Sequence, residues 1–218
     1  NNRVGIGTSS PTIPLHIDGG SSSNILQLSN TATGSTGSDG VVLGMSSSDV
    51  YFFNRENTAL RFGTNNTERM RIAATGAVTM PLQPAFEVKP AGAQNNIAVG
   101  SNVVVVFGTE LMDIGGNFAS NTFTAPVAGV YQFNVIIQAA VLDSASTYYE
   151  ARLNTTNEII DMTFDPDFGQ DAAFWTFSGS VTVPLDASDT ANVLFVQASG
   201  TQQTDIRTQS RFSGFLAC

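Results

Sequence analysis

The sequence predicts an all-β protein made of two segments that differ in composition. Charged residues occupy only 12 % of the 218 positions. Ser, Thr, Asn and Gly supply much of the polarity, and these residues favour turns, loops or strands over helices. Short apolar runs recur between the polar clusters, and none continues into an apolar stripe with the period of a helix. A helical bundle is therefore disfavoured, and strands joined by turns are expected along the whole chain.

The first segment ends near residues 81–84 (PLQP), where two prolines bracket an expected linker. Only 4 of the 20 aromatic residues lie in residues 1–83. This segment is therefore predicted to be a β-rich shaft module, in which one copy fills a core poorly and several copies intertwine. Its expected strands are VVLGM (41–45), VYFF (50–53) and ALRF (59–62).

The second segment, residues 84–218, holds the other 16 aromatic residues and is predicted to form a sandwich. Residues 129–139 alternate between apolar and polar side chains, from Tyr131 and Phe133 to Ile137 on one face, which is typical of a half-buried strand. The other expected strands of this segment are VVVVF (103–107), FWTFSGSVTV (174–183) and NVLFVQA (192–198).

Charge and the rarity of Cys and His exclude several function classes. A net charge of −9 disfavours binding to nucleic acid or to an anionic membrane. The longest aliphatic run, 103–106, is too short to insert across a membrane. The single cysteine, Cys218, excludes an internal disulfide framework and a thiolate zinc cluster. The single histidine, His16, leaves most hydrolase triads and His-based metal sites without their parts, and a strand residue without a catalytic role is favoured for it. The chain opens without an initiator Met, so we expect further fibre sequence upstream.

Two motifs in residues 84–218 resemble the complement-1q globular head, a jelly-roll family related to tumour necrosis factor. The first motif falls on Gly116, Phe118, Pro126, Gly129, Tyr131 and Phe133, and the second is FSGFL at 212–216. The resemblance implies a jelly roll that assembles as a homotrimer and binds ligands without catalysis. The stretch 145–172 matches no part of this pattern, and Ser188-Asp189 replaces the family's usual Gly-Asp turn.

Residues 4–17 (VGIGTSSPTIPLHI) and 59–78 resemble modules of phage tail-fibre shafts. Together, the two resemblances imply a trimeric fibre tip on a virion, outside the cell. It would bind a host surface glycan or protein receptor and join upstream fibre or virion proteins. The alternatives are a depolymerising tailspike-type enzyme fragment and a bacterial surface or spore-coat adhesin with the same head.

The candidate ligand-binding residues lie in and beside the unmatched stretch. They are Tyr148, Asp165, Asp167, Phe168 and Asp171. Exposed aromatic and carboxylate side chains suit glycan recognition, and loops on a rigid sandwich are free to carry it. With Asp161, the acidic residues could also offer oxygen ligands to calcium, but Pro166 interrupts them, so a solvated loop without a cofactor is favoured. Phe174 and Trp175 are expected to fill the core.

Overall fold

The computed structural model describes residues 3–20 and 23–218, and every regular element in these residues is a β-strand. The all-β prediction is confirmed. The chain divides into two compact units, Asn1–Pro81 and Leu82–Cys218, called here the N-terminal and C-terminal units.

The N-terminal unit contains three small sheets. One is a parallel pair, β1–β2, and the other two are antiparallel sheets of three strands in the orders β3-β4-β5 and β6-β7-β8. The β6–β7 hairpin closes tightly because Asn65 and Asn66 both adopt a positive φ (48° and 56°), as a primed turn requires. The strands are β1 (Val4–Ile6), β2 (Leu15–Ile17), β3 (Ser23–Leu28), β4 (Val41–Ser46), β5 (Asp49–Asn54), β6 (Leu60–Thr64), β7 (Thr67–Ile72) and β8 (Val78–Thr79).

The C-terminal unit is a sandwich of two antiparallel sheets. One sheet has the order β11-β9-β20-β14-β17, and β19 also pairs with β14; the other has the order β12-β13-β18-β15-β16, and β10 also pairs with β18. Neighbours in each sheet are mostly distant in sequence, as a jelly roll requires. The strands are β9 (Ala85–Lys89), β10 (Val103–Val104), β11 (Thr109–Ile114), β12 (Phe118–Ala119), β13 (Thr122–Thr124), β14 (Gly129–Leu142), β15 (Tyr149–Thr155), β16 (Ile159–Phe164), β17 (Ala172–Leu185), β18 (Thr190–Gln197), β19 (Asp205–Ile206) and β20 (Arg211–Leu216).

The core of the sandwich is a cluster of aromatic rings between the two sheets. Phe86 stacks on Phe123 with ring centroids 4.8 Å apart and meets Phe212 edge-on at 4.9 Å. Gly214 lies directly against these rings, because a Cβ at this position would come within 2.6 Å of Phe133 and 2.8 Å of Phe86. The glycine of the FSGFL motif is therefore required by close packing.

Two sequence-based expectations about this unit were wrong in detail. Phe174 is not a core residue: it pairs with Ala140, projects from the sheet and is 56 % exposed. Trp175 is 36 % exposed. The run 103–107 forms a strand only at Val103–Val104, after which the chain leaves the ladder and Val106 hydrogen bonds to the side chain of Gln94.

Candidate functional site

In the C-terminal unit, the first and last residues of the unit lie together at one end of the sandwich, and a cluster of loops lies at the opposite end. At the start of β14, the amide of Val130 donates to the carbonyl of Cys218, and the amide of Leu216 donates to the carbonyl of Pro84. At the far end of the same strand, Leu142 pairs with Ala172. The loops 143–148 and 165–171 therefore lie a full strand length away from both chain ends. We call this end the distal end.

The carboxylate of Asp143 joins two loops of the distal end. It is only 5 % exposed, and its oxygens accept hydrogen bonds from the amides of Ala145 (2.8 Å), Thr201 (2.6 Å) and Gln202 (2.9 Å). These backbone donors, with Gln202 contributing most, hold the pKa of Asp143 below its usual range. Gly200 has a φ of 103°, and a Cβ there would come within 2.5 Å of Asp143 Oδ2. The loop 198–204 is thus shaped around this carboxylate.

A second set of buried polar contacts lies beneath Asp143. The phenolic oxygen of Tyr149 accepts from the amide of Asp143 (2.7 Å), and the hydroxyl of Thr204 donates to the carbonyl of Val141 (3.2 Å). Burial raises the pKa of Tyr149, so its hydroxyl stays protonated at neutral pH. Val141 has a φ of 60°, which is rare and strained for a β-branched residue. Such strain persists only where the surrounding structure holds it, so the contacts at the end of β14 fix the backbone at Val141.

The loop 165–171 carries four of the five predicted ligand-binding residues, and all four are exposed. Asp171 accepts hydrogen bonds from both the amide (2.9 Å) and the hydroxyl (2.8 Å) of Ser144, which connects this loop to the loop 143–148. Asp165 and Asp167 lie on either side of Pro166, which is buried. The side chains of these two aspartates therefore face solvent while the proline anchors the loop.

The other two predicted residues are aromatic. Phe168 is exposed at the edge of a ring cluster with Phe164 (centroids 5.2 Å apart) and Trp175 (5.8 Å), which themselves stack at 3.9 Å. Tyr148 is half-buried in the neighbouring loop, where its carbonyl accepts from the hydroxyl of Ser146 (2.9 Å). The cluster offers an apolar platform beside the acidic loop.

The aspartates considered for calcium have separate partners. Asp161 lies on β16, where its carboxylate forms an ion pair with Arg152 at 3.0 Å, whereas Asp171 binds Ser144. Within residues 3–20 and 23–218, no group of three or more His, Cys, Asp and Glu side chains is arranged to hold a metal ion. In the same residues, no helix has the length and apolar character needed to cross a membrane.

Sequence reasoning predicted that the loops 143–147 and 161–171 carry binding, but it did not single out Asp143 or the loop 198–204. The signal was present at Asp143: an aspartate that follows a strand and precedes Ser-Ala-Ser is typical of an Asx turn, which the bond from Ala145 confirms. Its bonds to Thr201 and Gln202 span more than 50 residues, so the sequence could not show them. Thr147 extends the same connection, because its amide donates to the hydroxyl of Ser199 at 2.9 Å.

The sandwich also has an open edge, between β16 and β17. Each of these strands is the last in its sheet, and they do not pair with each other. A cavity of about 200 Å³ lies between them. Its lining is almost entirely apolar and includes Leu153, Ile160, Met162 and Val181. Apolar core side chains therefore lie close to solvent along this edge in a single copy.

The C1q domain family matches residues 85–217, which is more than half of the chain and includes the whole of the distal end. The chain belongs to the C1q domain family. C1q and tumour-necrosis-factor-like domains commonly form homotrimers, and they are typically binding or structural folds without catalysis. The expected jelly roll of this type is thus confirmed.

Solved structures similar to this C1q domain include the globular domain of zebrafish complement 1qA protein, at 22 % identity and a TM-score of 0.45. Murine APRIL at pH 8.0 is 8 % identical, with a TM-score of 0.45. Each comparison covers 62 % of this chain and 98 % of the other.

Proposed function

We propose that the protein is a homotrimeric, non-catalytic attachment protein of a virion fibre, located outside the cell, whose distal end binds a host surface glycan. The observation that carries this proposal is the cluster of loops, joined by the hydrogen bonds of Asp143 and Asp171, at the end of the C1q domain opposite residues 84 and 218. Loops held by a rigid scaffold are where binding residues concentrate. In a fibre tip, the distal end is the part that faces the host.

The chemistry of the distal end fits a carbohydrate. Carboxylates such as Asp165 and Asp167 accept hydrogen bonds from sugar hydroxyls, and aromatic rings such as Phe168 pack against the apolar face of a sugar ring. The neighbouring loops add exposed hydroxyl and amide groups at Thr147 and Gln202. A protein receptor is the alternative ligand, and a glycan array of the full chain distinguishes the two.

Trimer formation is supported by the family and by the open edge. One copy leaves the cavity between β16 and β17 accessible, and Ile159, Phe174 and Trp175 along these strands are exposed. Burial of such apolar side chains against a neighbouring copy is favourable by about 25 cal/mol per Å². Light scattering of the full chain should therefore give three times the 23.0 kDa mass of one chain.

The binding proposal is tested by the double variant Asp167→Ala/Phe168→Ala. Because a few central residues carry most of the affinity of an interface, adsorption to host cells should fall about tenfold or more. The melting temperature should stay within a few degrees of wild type, since both side chains are exposed.

The matched control is Val127→Ala/Asp186→Ala, which removes an exposed apolar and an exposed acidic side chain at the opposite end of the domain. This control should adsorb like wild type. Equal adsorption of wild type, the double variant and the control would show that these residues of the distal end do not bind the host surface. Release of new reducing ends from host polysaccharide by the wild-type protein would instead favour the tailspike alternative.

A further inference from the structure

The N-terminal unit buries almost none of its apolar side chains. Among its described residues, Val42 is the single large apolar residue with a buried side chain, whereas fifteen others are exposed. A folded domain of this size normally removes about 60 % of its surface from water, and its larger apolar residues dominate that fraction. The side chains that should form its core therefore lie on its surface in one copy.

Many of the exposed side chains share one face of the β3–β5 sheet. In antiparallel strands, directly opposed residues project to the same side, so Leu26, Leu43 and Phe52 form one row across the sheet. Val50 and Leu28 lie in the adjacent rows and are 70 % and 63 % exposed. We call this surface the apolar face. Its apolar residues are Leu26, Leu28, Val41, Leu43, Met45, Val50 and Phe52, and Asn24 and Asn54 lie on the same side at its margins.

The β6–β8 sheet shows the same imbalance in a clearer form. Leu60, Ile72 and Val78 share a row on one side, and the other side carries Arg61 opposite Arg71. Glu68 accepts two hydrogen bonds from Arg71, at 2.8 and 2.9 Å. One side of this sheet is thus polar and suited to solvent, and the other is apolar and suited to burial, as expected of a sheet that covers a core.

We propose that the apolar face packs around a threefold axis against the same face of two further copies of this chain, with Leu43 closest to the axis. Leu43 lies on the central strand, in the middle row of the face. The inference rests on the proposed homotrimer: each N-terminal unit is continuous with a C1q domain, so trimeric heads hold the three faces at roughly millimolar concentration.

The size and chemistry of the apolar face fit other copies of itself. A large side chain buries on the order of 150 Å² when it is covered, so seven half-exposed ones offer about 500 Å² per copy. Three such faces together bury about 1,500 Å², or about 500 Å² for each pair of copies. A single contact of this size is too small to be stable by itself, so the packing depends on the trimeric heads that hold the three faces together. The face contains no charged residue, so like faces meet without repulsion or loss of charge solvation.

The test places one cysteine at a time in the full chain with Cys218→Ser, which removes the exposed native thiol. Leu43→Cys marks the apolar face, and the matched control Phe53→Cys marks an exposed position on the opposite side of the same sheet. A short bismaleimide cross-linker joins thiols that lie close together. It should convert the Leu43→Cys protein to linked dimers on a denaturing gel and leave the Phe53→Cys protein as single chains.

Light scattering of the same samples separates the two proposals. A trimer that cross-links through Phe53→Cys, or that does not cross-link through Leu43→Cys, would overturn the packing of the apolar face and leave the trimeric head intact. The packing is also overturned if the thiol introduced by Leu43→Cys resists thiol reagents without cross-linking, because a different partner then covers the face. A monomer would overturn both proposals.

Discussion

Replacement of Asp143 by Asn should destabilise the C-terminal unit in a way that depends on pH. The carboxylate is almost fully buried and accepts three backbone hydrogen bonds, two at Oδ2 and one at Oδ1. Asn offers one carbonyl oxygen, so in its best orientation it keeps the bonds from Thr201 and Gln202 and turns its NH₂ group towards Ala145. The amides of Thr201 and Gln202 then donate to a neutral amide oxygen instead of a charged carboxylate oxygen.

The magnitude follows from these contacts. Hydrogen bonds to a charged group contribute about 1.5–3 kcal/mol each, roughly twice the contribution of neutral ones. Loss of one bond and weakening of two others should lower the free energy of unfolding by about 2–4 kcal/mol at pH 7. Because the folded pKa of Asp143 is lowered, its stabilisation is fully present above the unfolded pKa, near 3.8, and is lost as the pH falls through the folded value.

Urea unfolding, followed by the fluorescence of Trp175 at one fixed protein concentration, measures this effect from pH 7 down to pH 3. The difference between wild type and Asp143→Asn should be constant near neutral pH and begin to shrink as the pH falls below about 3.8, where the unfolded wild-type chain binds a proton that the folded chain does not. Asp165→Asn, an exposed change in a neighbouring loop, serves as the control and should be close to wild type throughout. A difference that stays the same at every pH would refute the role given to the charge.

Two further substitutions test the packing and the backbone of the C1q domain. Gly214→Ala should lower the free energy of unfolding by about 1–3 kcal/mol, because the added methyl group meets two rings that are fixed in the core; a melting temperature equal to that of wild type would contradict this. Val141→Gly should change stability by less than about 1 kcal/mol, because relief of the positive φ offsets the lost side chain. Val130→Gly, where the same strand has no positive φ, should cost about 2 kcal/mol, and equal losses in both variants would argue against strain at Val141.

The parts of the fold that the sequence predicted are those with a strong local pattern. Tyr131, Phe133, Val135 and Ile137 alternate with polar residues in residues 129–139, and all four are buried in β14. Strands β15 and β16 were not predicted, since they lie in the stretch 145–172, which matched no family pattern. Their inward side chains include the small Ala151, and their outward ones form an ion network rather than an obviously solvated face.

Contacts between segments that are far apart in the sequence could not be predicted from local patterns. Trp175 follows the inward alternation of β17 but stacks on Phe164 at the open edge, because β16 and β17 do not pair there. The candidate residues of the loop 165–171 were proposed from their chemistry, and their exposure is consistent with that proposal. The carboxylate that organises the adjoining loops, Asp143, depends on partners at Thr201 and Gln202 that only the folded chain brings near.

The placement of the chain ends and the loop cluster at opposite ends of the C1q domain has a consequence for how this protein can diversify. A change of sequence in residues 165–170 affects neither the strand ladder at the start of β14 nor the hydrogen bond from Gln83 to Leu216 at the other end. Gly169, exposed with a φ of 70°, lies in the turn where the insertion of additional residues should be tolerated best. The ligand specificity that we propose for the distal end can therefore change, or be exchanged by grafting this loop, while the parts that assemble the domain stay the same.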